Sequence, residues 1–340
     1  MVTDREARPV TPGSGLKEKT MPYRQEILLT VVLLAMIGLF SAINPRFLSG
    51  AAAANVLQDF GPVMLMAIGE TFVIISGGID LSVGSVLGLS GVVTAIVVKS
   101  AYSAGLGAGA TIVIATVSGL AAGAAVGLIN GILVTRVRLA PFIATLATMG
   151  AAAGITLVVT NGVQIAGGPR AQVVAIGTRT FATVFTGPVL VVLAATAIAW
   201  LLLSMARFGR YTYAIGSNMF AARAAGLKVD AHLIKVYILS GLMAAMAGIF
   251  VYFRLASGSP SSGQGGELQA IAAAVIGGVS LAGGIGRMGG TFLGTLIITS
   301  ILSGLILIGV PPAWQRVVIG GLIAIAVAVQ GIGNVDKGTK

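Results

Sequence analysis

The residues able to do chemistry in this 340-residue chain are few: ten Asp and Glu, one histidine, His232, and no cysteine. Thiolate metal sites and disulfides are excluded by composition, and a cluster of several histidines goes with them. Three carboxylates stand out by position. Glu70 lies inside Met66-Ala-Ile-Gly-Glu-Thr-Phe72, Asp80 inside Gly77-Gly-Ile-Asp-Leu-Ser-Val-Gly84, and Glu267 inside Gly265-Gly-Glu-Leu-Gln269. An ionised side chain at the centre of a membrane helix costs about 2.5 to 3.5 kcal/mol. Each acid must therefore face the inside of a helix bundle, a wet cavity or an interface. For Glu70 that means a pathway or conformational-coupling residue, or a packing carboxyl held by a Ser, Thr or backbone group. Neither role is acid catalysis. Asp80 fits the N-cap of the following helix, where it accepts amide hydrogen bonds and meets the positive end of the helix dipole. Glu267 fits a first helical turn for the same reason, and beside Gln264 and Gln269 it also fits a contact with a docking partner or a substrate entrance.

The neutral polar residues Asn130, Thr145, Thr148, Asn161 and Gln164 offer amide and hydroxyl partners without fixed charge. That suits a hydroxylated solute such as a sugar better than an ion. Taken singly, each is better explained as an interhelical hydrogen bond, worth about 0.6 to 2 kcal/mol in lipid. No string of intramembrane carboxylates or histidines is present to relay protons, which counts against an ion-coupled carrier.

The elements that must position these residues are membrane helices. Hydrophobic residues make up 56% of the chain and charged ones 9%, with mean hydropathy +1.00; a soluble domain carries about 25% charged residues. A spanning helix needs about 20 mostly apolar residues. That rule gives ten spans: Ile27–Ile43, Ala54–Ile75, Leu81–Val98, Gly107–Val134, Pro141–Thr160, Pro188–Ala206, His232–Leu255, Leu268–Leu281, Gly289–Val310 and Trp314–Gln330. The second carries Gln58, Asp59, Pro62 and Glu70, and Pro62 should kink or break it; the eighth is short. Gly119-Leu-Ala-Ala-Gly-Ala-Ala-Val-Gly127 reads as a small-residue face for close helix approach. Trp200 and Trp314 read as interface anchors.

The expected fold is thus an all-α polytopic transmembrane helix bundle. Residues 1–26 form a flexible cytoplasmic tail, residues 27–331 the membrane domain, and residues 332–340 a second cytoplasmic tail. Within the membrane domain, 161–187 is an external loop and 207–230 a cytoplasmic one. Asn44-Pro-Arg-Phe47 after the first span is no signal-peptide cleavage site. Ten spans put both termini on one side. With that side inside, its basic residues are Arg5, Arg8, Lys17, Lys19, Arg24, Arg136, Arg138, Arg207, Arg210, Arg223, Lys228, Lys235, Arg287, Lys337 and Lys340. The outside then holds Arg46, Lys99, Arg170, Arg179, Arg254 and Arg316. The bias satisfies the positive-inside rule, so the net charge of +11 largely reports topology rather than a nucleic-acid partner, and the surrounding partner is membrane lipid.

No P-loop is present, because Lys19-Thr20 follows Glu18 and Lys99-Ser100 follows Val98. Gly284, Gly286 and Gly289 match Gly-x-Gly-x-x-Gly, but between spans and with no acid before Asp336, which reads as a tight turn rather than a dinucleotide site. Uphill transport by this chain would need an ATPase elsewhere.

At this point the sequence resembles a known family. Gly69-Glu-Thr-Phe-Val-Ile-Ile-Ser-Gly-Gly-Ile-Asp-Leu-Ser-Val-Gly-Ser85 is similar to the signature of the ribose-type permeases, the membrane subunits of bacterial ABC sugar importers. Three further stretches agree in order: Asn130-Gly-Ile-Leu-Val134 leading to Pro141-Phe-Ile-Ala-Thr-Leu-Ala-Thr148; Phe208-Gly-Arg-Tyr211 through Gly216-Ser-Asn218 and Ala221-Ala-Arg-Ala-Ala-Gly-Leu227; and Leu268 to Gly284. The likeness covers roughly Gln25 to Gln330 and is not specific to one sugar. It implies a multi-pass protein of the bacterial cytoplasmic membrane that moves a monosaccharide inward by alternating access. The implied partners are a second permease chain, identical or related, cytoplasmic ATP-binding subunits that hold ATP and Mg, and a periplasmic or lipid-anchored sugar-binding protein. No cofactor is expected in this chain. A branched-chain amino-acid permease of the related importer class is the alternative, with an ion-coupled carrier behind it.

The loop 207–230 has a physical reading of its own. Asn218 can cap Met219-Phe-Ala-Ala-Arg-Ala-Ala225, and Gly226 can close it. Ala221, Ala222, Ala224 and Ala225 would let that short helix sit in another protein's cleft, with Arg223 available for an acidic partner. Gly216, Asn218, Ala221, Ala222, Arg223 and Gly226 are therefore the expected ATPase-coupling residues, and Glu70, Asp80, Asn130, Thr145, Asn161, Gln164 and Glu267 the expected path or coupling residues in the membrane. A weak internal echo, Gly77–Gly84 against Gly277–Gly284, lies in one orientation six spans apart and defines no inverted pair.

Overall fold

The computed structural model describes residues 24–182 and 184–338. Most of the tail expected at residues 1–26, and the last two residues of the one at 332–340, lie outside that range. The chain forms α1 (Arg24–Ile43), a 3-10 turn (Pro45–Leu48), α2 (Gly50–Ile75), α3 (Val83–Ser103), α4 (Ala108–Thr135) and α5 (Pro141–Thr160). There follow β1 (Ile165–Ala166), α6 (Arg170–Thr178), β2 (Thr180–Phe181), β3 (Phe185–Thr186), α7 (Gly187–Ser204), α8 (Arg207–Ser217), α9 (Met219–Ala224) and α10 (Val229–Leu255). The chain ends with β4 (Ser257–Gly258), α11 (Gly266–Ile276), α12 (Met288–Leu307) and α13 (Pro312–Gly338). Among the described residues, α1, α2, α3, α4, α5, α7, α10 and α12 are long and apolar enough to cross a membrane.

The core is α2 against α10, with α3, α4, α11 and α12 around them. Every residue of α2 from Phe60 to Ile75 is buried. The helix runs unbroken through Pro62, so the expected break is absent. Glycine decides how α4 meets α10. Built onto Gly123, a Cβ would overlap the Gly241 carbonyl, and on Gly131 it would lie 2.8 Å from the Ile234 Cα. The small-residue face predicted at Gly119–Gly127 is this antiparallel contact, backbone against backbone.

The eighth predicted span departs from expectation. Instead of a helix over Leu268–Leu281, α11 has 11 residues, about 16 Å at 1.5 Å per residue, half the thickness of a bilayer core of about 30 Å. The chain leaves α10 through Ala256 at φ 51° and pairs β4 with β1. It then packs inward along α3: Gly258 lies against Ala95, Ser262 against Gly88 and Gly263 against Gly84. Irregular backbone at membrane depth is tolerated only where protein or a wet cavity surrounds it, and both do here.

The internal echo is real in the fold, one residue out of the register read from sequence. At the end of α2, the Ser76, Gly77 and Gly78 amides bond the carbonyls of Phe72, Ile74 and Val73. At the end of α11, the Gly277, Gly278 and Val279 amides bond those of Ala273, Val275 and Ala274. Gly77 and Gly278 supply the left-handed position in each, at φ 90° and 89°. The end of α2 is tied to the loop that follows α11 by the Gly284 amide on the Ile75 carbonyl at 2.8 Å.

Candidate functional site

Four of the predicted membrane residues converge. Asp80 is 1% exposed and accepts four hydrogen bonds. Oδ1 takes the Ser82 amide at 3.0 Å, the Ser82 hydroxyl at 2.6 Å and the Asn130 amide at 3.4 Å; Oδ2 takes the Ser240 hydroxyl at 2.8 Å. The expected cap position has moved: Ser82 is the N-cap of α3, and Asp80 closes the turn before it. Asn130 also donates to Ser82 Oγ at 2.9 Å and accepts from Thr148 Oγ1 at 2.6 Å. Thr145 Oγ1 donates to the Ile79 carbonyl at 3.0 Å. Glu70 accepts the Asp80 amide at 3.5 Å through Oε2, while its Oε1 has no hydrogen-bond partner among the described residues. The signature turn is thus fastened to α2, α4, α5 and α10 at once, with negative charge at the start of α3 where the dipole favours it. Asn161 and Gln164 lie apart, at the α6 end of the bundle: Asn161 closes α5 at φ 51°, and Gln164 bonds Ser257 Oγ. Glu267 opens α11 with its carboxylate against Gly84.

At that same end, α2, α3, α10, α11, α12 and α13 enclose a cavity of about 340 Å³. Its polar lining includes Ser262, Gln264, Gln269, Thr299 and Gln315, and its apolar lining Pro62, Val63, Met66 and Leu302. Asp59 and Arg254 face into it as an ion pair at 2.7 Å, and Ser303 donates to the second Asp59 oxygen at 3.3 Å. Neutral donors and acceptors beside an apolar wall are what a polyhydroxylated ring requires. A second cavity, about 470 Å³, opens at the α9 end against Gly77, Gly78, Arg138, Phe220 and Tyr237. The two share no lining residue, and the Glu70–Asp80–Ser240 layer lies between them. Sequence reading missed Asp59 with Arg254, because their partnership spans 195 positions.

At the α9 end the expected local structure is present. Asn218 Oδ1 accepts the Ala221 amide at 2.9 Å, and Gly226 follows at φ 83°. Two details differ from expectation. Ala222 points inward against Ile215, Val229 and Leu233, leaving Ala221, Ala224 and Ala225 outside. Arg223 is paired with Asp230 at 2.5 Å, though still half-exposed. Gly216 is a packing residue whose Cα faces the Ile75 carbonyl and the Gly284 amide. Among the described residues, the most exposed large apolar side chain is one that sequence reading passed over, Phe220 at 88%.

Residues 52–327 match the family model described as "Branched-chain amino acid transport system / permease component". The ribose import permease protein RbsC of Escherichia coli K12 is 39% identical over 318 residues, covering 93% of this chain and 97% of its own. Its Bacillus subtilis 168 namesake is 41% identical over 92% of each chain. The galactose/methyl galactoside import permease MglC of Salmonella typhimurium LT2 is 35% identical over 94% of this chain and 98% of its own. No solved structure matches. A match of this extent, over the signature turn, the glycine contacts and α9 alike, means that the chain belongs to this family of transport-system permeases, among its ribose-type members.

Proposed function

We propose that the chain is the membrane permease of an ATP-driven importer and moves a monosaccharide inward across the bacterial cytoplasmic membrane. What carries the reading is its relationship to the ribose import permeases along nearly its whole length. The polar cavity at the α6 end supports it. In this arrangement the α9 end and both termini face the cytoplasm, where the basic residues concentrate. The descending segment 256–265 and α11 together make one passage and α13 another, which with the eight long helices gives ten. ATP is hydrolysed by separate subunits that grip α9, a second permease copy completes the path, and a binding protein delivers sugar to the α6 end. Cells carrying the assembled importer should take up labelled ribose, allose or galactose with no competition from leucine, and the purified chain alone should hydrolyse no ATP. Leucine uptake in place of sugar uptake would move the chain to the amino-acid branch.

Two substitutions test the parts. Gln269→Ala removes an amide from the cavity and should lower the uptake rate at limiting sugar about fivefold, the value of one hydrogen bond. An unchanged rate would remove this cavity from the path. Phe220→Ala should cut uptake by about thirtyfold, as for an interface aromatic worth about 2 kcal/mol, with the chain still in the membrane and melting as before. Normal uptake would show that α9 is not gripped through its exposed aromatic.

A further inference from the structure

A third cavity has a different chemistry. It measures about 480 Å³ and lies at the α9 end, between α1, α7, α8 and the start of α12. Its lining includes Arg210, Arg287, Glu26, Trp200, Ser204 and Tyr213. Arg210 sits in the first turn of α8 and donates one N–H to the Met205 carbonyl at 3.0 Å, one of five donors on its guanidinium. Arg287 pairs with Glu26 at 3.5 Å, and its side chain is 51% exposed. Tyr213 donates to the Gly286 carbonyl at 2.7 Å and so fixes the wall between the two arginines. The cavity is level with the ends of α1 and α7. Away from it, α1 exposes Leu28, Val31 and Leu34, and α7 exposes Ile198 and Leu201, all between 46% and 62%. A basic recess at the helix ends, with a half-exposed tryptophan beside it and apolar surface running from it toward the bilayer centre, has the form of an anionic lipid site.

We infer that this recess binds the phosphate headgroup of an anionic phospholipid between Arg210 and Arg287, with the acyl chains lying along α1 and α7. The headgroup competes with Glu26 for Arg287. It bridges the start of α12 to α8, the helix that leads directly into α9, so the lipid steadies the base of the segment that partner subunits are proposed to grip. The recess shares no lining residue with the cavity at the α6 end, so its occupancy is independent of the transported solute.

The test is native mass spectrometry of the full chain equilibrated with equal amounts of phosphatidylglycerol and phosphatidylcholine. Phosphatidylglycerol should be retained at least fivefold over phosphatidylcholine. Arg210→Ala and Arg287→Ala should each lower its retention about fivefold, the contribution of one basic residue near a membrane surface, while Arg210→Lys keeps most of it. Glu26→Gln should raise retention by removing the competing carboxylate, an effect opposite in sign to any loss of folding. Millimolar inorganic phosphate should leave the lipid in place; displacement would assign the recess to a free anion and overturn the lipid. Equal retention of both lipids, or unchanged retention in Arg210→Ala, would overturn the site.

Discussion

Gly216→Val is expected to leave little folded permease. A Cβ on Gly216 would land on the Ile75 carbonyl oxygen, 2.7 Å from the Gly284 amide nitrogen and 2.9 Å from the Ile75 carbonyl carbon. Those are the two halves of the hydrogen bond that joins the end of α2 to the loop after α11. None of the obstructing atoms belongs to a side chain that could rotate away, so α8 must move off both segments or the bond must break. Overpacking costs about 1 to 3 kcal/mol, and leaving a buried amide and carbonyl unpaired adds about 1 to 3 kcal/mol. The sum is a large share of the 5 to 15 kcal/mol that usually holds a protein folded. Thermal unfolding of the purified chain in detergent measures it. Gly150→Val and Gly154→Val serve as controls, since a Cβ at either position meets nothing within 4 Å. Should Gly216→Val melt with those controls, the contact between α8 and the two segments is not a support of the fold.

Much of this arrangement could be read from residue order, and the failures have a common cause. The limits of α5 follow from Pro141 and Asn161, and those of α9 from Asn218 and Gly226, because each end is set by the conformation one residue prefers. The glycine face of α4 is legible for a similar reason: a residue without a side chain has one main use in a lipid-facing helix. The length of α11 is not legible. Hydropathy counts Val279 and Leu281 as span residues, and their apolar weight overrides the Gly277-Gly278 pair whose left-handed turn ends the helix before them. Segment 256–265, rich in Ser and Gly, has the composition of an external loop, and only its contacts with Gly84, Gly88 and Ala95 place it inside the bundle. The convergence of Asp80 with Asn130 and Ser240 is likewise a matter of tertiary register, across separations of 50 and 160 residues. Sequence marks these residues as costly where they sit; it does not show that they satisfy one another.

That mutual satisfaction makes Asp80→Ala the second large effect. Hydrogen bonds inside membrane bundles average about 0.6 kcal/mol and reach about 1.7, so four bonds to one carboxylate amount to roughly 2.4 kcal/mol or more. The substitution also strands the Ser240 hydroxyl and the Ser82 backbone N–H in a site where neighbouring atoms exclude water, while the Asn130 amide keeps its bond to Ser82 Oγ. Ser240→Ala removes one bond and should cost about a quarter as much. Asp80→Asn separates geometry from charge. Its carbonyl oxygen can still accept from Ser82 and Asn130, and its amide can donate to a Ser240 hydroxyl that rotates to accept, so most of the network survives without a negative charge. The expected order of melting temperature is parent, then Ser240→Ala, then Asp80→Asn, then Asp80→Ala. Uptake should fall in the same order if the turn has only to be held in place. If Asp80→Asn keeps its melting temperature yet loses uptake, the charge itself takes part in transport, and the layer between the two cavities is a working part of the path rather than its scaffold. Should Asp80→Ala match the parent in both measurements, the buried network is dispensable, and the signature turn must be held by its backbone bonds to α2 and α11 alone.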